Sequence, residues 1–154
     1  MHDTPNLPLE DAEIAAAAPP LTAVVAGRIV LVLGVFSALF GVQSLTNLRF
    51  LSWHWVLPLS IVLFGAGALL SGWKLSRGRG WASVASFVLA AVIALVTAVF
   101  SVLALSWGYF SLLTLMVELA ALVGGLLAAL SIGPCQRADR ARAALAGQGL
   151  ELGV

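Results

Sequence analysis

Four apolar runs limit what this chain can become. They span residues 22–44, 56–73, 82–105 and 111–132. Each is near the roughly 20 residues a helix needs to cross a hydrocarbon layer about 30 Å thick. No water is available there for backbone amides, so each run must close its hydrogen bonds internally. A helix does this; strands would need the period-two alternation of a barrel, which these runs lack. The competing reading is four buried helices of a soluble protein. It fails on surface, because only 10% of the 154 residues are charged and 61% are hydrophobic. Soluble domains run near 25% and 45–50%. The expected fold is all-α: a polytopic bundle of four transmembrane helices. The same composition excludes a disordered chain, a disulfide scaffold (Cys135 is the one cysteine) and a nucleic-acid binder.

The flanking segments suggest three regions. Residues 1–20 carry Asp3, Glu10, Asp11, Glu13, four prolines and no Lys or Arg. They lack the basic start of a signal peptide and are expected to form a disordered acidic tail. Residues 21–132 form the transmembrane domain. Residues 133–154 form a second tail, opened by a Gly133-Pro134 breaker and holding at most a short helix. Cys135 on that tail is expected to react with thiol reagents from the cytoplasmic side. The connections 45–55, 74–81 and 106–110 are short, so sequential helices should be antiparallel.

Charge sets the expected orientation. Four spans put both tails and the 74–81 loop on one side, with Lys74, Arg77, Arg79, Arg137, Arg140 and Arg142, and Arg28 near it. The other side has Arg49 alone. The positive-inside rule then places both termini in the cytoplasm. Trp53, Trp55 and Trp107 would mark the outer interface and Trp73 and Trp81 the inner one. The preference for Arg over Lys, with abundant Ala, Gly, Leu and Val, suggests a bacterial gene and hence the inner (plasma) membrane.

LSWHWVLPL (51–59) is similar to LSWGYFSLL (105–113), and each is followed by a glycine-bearing helix and an Arg-bearing segment. This predicts two helical hairpins in tandem, related by an axis along the membrane normal. Lipid supplies no hydrophobic drive between helices, so close packing needs small residues on shared faces. Gly27, Gly34 and Gly41 recur at heptad spacing, as do Gly65 and Gly72. Ser86, Ala90, Ala94 and Ala98 form a row in the third run, and Ala121, Gly125 and Ala129 in the fourth. Two readings are open: packing within the chain, or an interface with another copy or a partner.

Two charges lie inside the runs. Arg28 either snorkels to the headgroups or marks a later start of the first span. Glu118 lies seven residues into the fourth run, roughly 10 Å below the outer surface. An intramembrane carboxylate is costly and is by default a functional hypothesis. Thr114, Ala121 and Gly125 share its face. Gln43, Thr97 and Ser101 are expected at similar depth, with Arg49 and His54 just above. This candidate polar site (Glu118, Thr97, Gln43, Thr114, Arg49) either fixes helix register or handles a proton, ion or ligand. His54 reads as an interfacial histidine and Pro58 as a helix-start residue. No catalytic triad, metal-ligand cluster, phosphate loop or dinucleotide fingerprint is present, so no catalytic residue, metal or cofactor is expected.

The run GALLSGWKLSRGRGWASVASFVLAAV resembles the Arg/Trp elbow of small four-helix bacterial membrane proteins of unknown function. GRIVLVLGVFSALFGV is similar to the repeated hairpins of the HdeD-like acid-resistance membrane proteins, whose third hairpin has no counterpart here. The resemblance covers about residues 27–132 and implies a hairpin-built bundle in a bacterial membrane. The leading expectation is a non-enzymatic membrane protein with a structural or interaction role, through self-association or as an accessory subunit. The alternative is a small transporter or proton-linked carrier using Glu118.

Overall fold

A computed structural model of the chain describes residues 15–47, 56–106 and 112–147. The elements are α1 (Leu21–Asn47), α2 (Val56–Ser76), α3 (Gly80–Ser106) and α4 (Leu112–Gly147). All four are long and apolar enough to cross a membrane. Their outer surfaces are apolar: Leu39, Leu63, Leu95, Val102 and Leu126 each expose more than 60% of their area. Water would not tolerate so continuous an apolar surface, and lipid would.

α1 lies mainly against α2 and α4, and α3 mainly against α4 and α2, which closes a four-membered ring; α1 and α3 also touch across it, where Leu33, Ala94 and Ala121 cluster. α1 and α2 are antiparallel and make the most extensive contact. Their glycines meet in register. A Cβ on Gly27 would lie 2.6 Å from the Gly72 carbonyl oxygen, and one on Gly72 would lie 2.7 Å from the Gly27 oxygen. One turn-pair further on, a Cβ on Gly34 would lie 2.9 Å from the Gly65 oxygen, and one on Gly65 would lie 2.6 Å from the Ala38 nitrogen. Backbone touches backbone at both levels. The heptad glycines are therefore an intrachain seam, and Gly41 is buried on the same helix. α4 supplies small residues in two directions. Gly125 faces Ala90 of α3 and Gly124 faces Ile29 of α1.

The turn between α2 and α3 is shorter than the expected 74–81 loop, because only residues 77–79 lie outside the helices. Gly78 adopts φ 73°, its amide donates to the Leu75 carbonyl, and the Arg79 amide donates to the Lys74 carbonyl. This pair of bonds is the Schellman closure, which needs a residue free to enter the left-handed region. Trp73 stands beside it, with the Lys74 ammonium 4.8 Å and the Arg77 guanidinium 4.3 Å from its ring centre.

The fourth helix departs most from expectation. It does not stop at residue 132. It runs through Gly133 and Pro134 to Gly147, 36 residues in all, or about 54 Å. The reason lies in its buried seam: Ala121, Gly124, Ala128, Ser131, Cys135, Ala138 and Leu145. These follow alternating steps of three and four, with Arg142 at the remaining position. That heptad rhythm continues across the proline, and packing on both sides compensates for the one backbone hydrogen bond that Pro134 removes. The end of the N-terminal tail is also ordered. Residues 15–17 form a helical turn, Ala17 is buried, and the Pro20 carbonyl accepts the Ala23 and Val24 amides at the start of α1. Residues 1–14, the similar segments around 51–55 and 107–111, and Trp53, Trp55 and Trp107 lie outside the described residues.

Cys135 is fully buried, which corrects the expectation of an open thiol. A maleimide should leave native Cys135 unlabelled until the protein is denatured. Its neighbour Gln136 is exposed. A Gln136→Cys variant in a Cys135→Ser background should label fully without denaturant. Equal rates at the two positions would contradict the packing of α4.

Candidate functional site

The expected polar site is assembled only in part. Glu118 is half-buried on the α4 face that meets α3, and Ser101 Oγ donates to its Oε2 at 3.4 Å. That bond is long and joins α3 and α4 near the ends that border residues 107–111. Thr97, one turn below Ser101, makes no hydrogen bond to the carboxylate. Its hydroxyl is directed at the Ile93 and Ala94 carbonyls of its own helix, at 2.8 and 3.1 Å. This back-bonding satisfies the hydroxyl where water is absent. Gln43 is exposed on α1, and Thr114 is half-buried one turn before Glu118. Arg49 and His54 lie outside the described residues. The structure therefore brings Ser101 to Glu118, and it does not bring Thr97.

A second constellation, absent from the sequence-based expectations, sits at the opposite end of the bundle. Arg142, near the end of α4, reaches three chain segments. Its Nε donates to the Ala17 carbonyl at 2.9 Å, its Nη1 to the Gly78 carbonyl at 3.2 Å, and its Nη2 to the Arg77 carbonyl at 3.2 Å. Nη1 also pairs with Asp139 Oδ1 at 3.0 Å. The other oxygen of Asp139 accepts the Gly80 amide at 2.6 Å. That amide is one of the unsatisfied donors at the start of α3, so α4 caps α3 with a carboxylate. The guanidinium fork suits this task, since its donors diverge in one plane. The signal that could have revealed it was the heptad rhythm running on into residues 135–145.

Arg28 is exposed and makes no hydrogen bond or ion pair among the described residues. Its neighbour Gly27 touches the backbone of Gly72 and Ser76. Its other neighbour, Ile29, faces Gly124 of α4, which lies within the fourth apolar run. A groove of about 440 Å³ opens beside it between α1 and α4, and Glu118 is not among its lining residues. Among the described residues, no group of three or more His, Cys, Asp or Glu could hold a metal ion.

No family model, curated protein or solved structure matches this chain.

Proposed function

We propose that this protein is a non-enzymatic scaffold of a bacterial cytoplasmic membrane, built as two tandem hairpins with both termini in the cytoplasm. In this reading it acts by associating with itself or with a larger membrane partner. The observation that carries it is the way the bundle is locked. The α1–α2 seam allows no sliding, because its glycines meet backbone to backbone. The Arg142 network ties the same end of all four helices together. A carrier must alternate between two packings, whereas a scaffold needs one. The orientation rests on the basic residues: Arg28, the 74–79 segment and the α4 extension share one end, and the positive-inside rule assigns that end to the cytoplasm.

The test is a proteoliposome pH-gradient assay paired with native electrophoresis of mildly solubilised membranes. Glu118→Gln should leave gradient decay at the protein-free rate and cost at most about 1 kcal/mol of stability, the worth of one hydrogen bond. The wild-type protein should migrate as an assembly larger than the monomer. Gradient decay that depends on Glu118, or a strictly monomeric protein, would overturn the reading.

A further inference from the structure

The groove between α1 and α4 is a site of definite chemistry. Val32 and Phe36 from α1 and Met116, Val117 and Ala120 from α4 make its walls, and Arg28 stands at one end. Every lining side chain except Arg28 is apolar. Val32, Phe36 and Met116 are all more than half exposed, so the groove opens sideways, toward lipid. From Arg28 to Phe36 the α1 wall is about 12 Å long at 1.5 Å per residue. Arg28 follows Gly27 on α1, which packs on Gly72 next to Trp73, toward the end of the bundle that carries Lys74, Arg77 and Arg79.

We propose that this groove holds one acyl chain of an anionic phospholipid, with the lipid phosphate on Arg28. The apolar trough suits the chain, and the end charge suits the phosphate, which a guanidinium binds in bidentate fashion. The charge of Arg28, which makes no ion pair among the described residues, favours a headgroup of net negative charge over a zwitterionic one. A helix from a second copy fits poorly, because close helix contacts in lipid need small residues and the lips of this groove carry Val32, Phe36, Leu113 and Met116. The proposal does not depend on the scaffold reading, since a carrier could bind the same lipid.

The experiment is native mass spectrometry of the full chain in mild detergent, titrated with dioleoyl phosphatidylglycerol or dioleoyl phosphatidylcholine. The wild type should retain one phosphatidylglycerol per monomer, with phosphatidylcholine held about tenfold more weakly. Arg28→Gln should weaken phosphatidylglycerol about tenfold and erase the difference between the two lipids. Ala120→Phe, which fills the trough, should remove both. Arg140→Gln, on the α4 extension away from the groove, should change neither, and thermal unfolding checks that every variant is folded. Equal retention of the two lipids by the wild type, or an Arg28→Gln variant that binds like the wild type, would overturn the proposal. A Val32→Cys variant that forms disulfide-linked dimers quantitatively in bilayers would do so too, by assigning the groove to a second copy.

Discussion

Gly27→Ala and Gly72→Ala should each cost about 3 kcal/mol, at the upper end of overpacking penalties, although each adds a single methyl group. The atoms that the new Cβ would strike are backbone atoms of the opposing helix, at 2.6 to 2.9 Å from Gly27 and from 2.7 Å at Gly72. Backbone cannot rotate aside as a side chain can, so the helices must separate, and contacts along the whole seam loosen with them. Gly67→Ala, in the middle of α2, supplies the comparison. A Cβ there would meet only the Leu89 side chain, at 3.8 Å, an ordinary contact. This substitution should stabilise the protein by about 0.5–1 kcal/mol, because alanine has less freedom to lose in a helix. Reversible unfolding in mixed micelles by denaturing-detergent titration measures all three. The double variant Gly27→Ala/Gly72→Ala should cost less than the sum of the singles, since one separation relieves both clashes. Similar effects at positions 27 and 67 would show that the seam is not close-packed.

Arg142→Ala should have the second largest effect, about 2–3 kcal/mol. The guanidinium is mostly buried and serves three carbonyls and a carboxylate. Its loss leaves those acceptors without their donor and frees Asp139 from its cation. Arg142→Lys should not restore stability, since an ammonium is a point charge and cannot span acceptors on separate segments. Asp139→Asn should be milder than Asp139→Ala. An amide oxygen still accepts the Gly80 N–H, and only the ion pair with Arg142 is weakened. Limited proteolysis gives an independent readout. Arg142→Ala should open the chain to cleavage after Arg77 and Arg79, beside the α2–α3 turn, while the membrane-embedded part resists. An Arg142→Ala variant as protease-resistant and as stable as the wild type would refute the role given to this network.

Much of the fold is readable from residue types. The four helices follow from hydropathy, because in lipid no other backbone arrangement is open to those runs. The α1–α2 seam follows from glycines seven apart on both helices, which repeat on one face. Legibility ends where two local signals compete. Gly133-Pro134 reads as a stop, and the stop is overridden because Cys135, Ala138 and Leu145 continue the buried stripe beyond it. Composition hid this stripe, since Cys135, Ala138 and Arg142 are small or charged where a membrane span would show leucine. The polar site is legible only in part, for a different reason. Depth along a helix can be counted from sequence, whereas the direction of a hydroxyl cannot. Ser101 and Thr97 lie one turn apart, yet one faces Glu118 and the other bonds its own backbone. The Asp139 cap on Gly80 joins residues 59 positions apart and has no local signature at all.

The separation between Arg142 and Ala17, 125 residues, also bears on the order of biosynthesis. The glycine seam needs nothing beyond residue 76, so the first hairpin can assemble as soon as α2 has left the insertion machinery. The Arg142 contacts must wait until α4 has been made and has docked. Until then the carbonyls of Ala17, Arg77 and Gly78 await their donor, so the seam of the first two helices can close before the end of the bundle is latched.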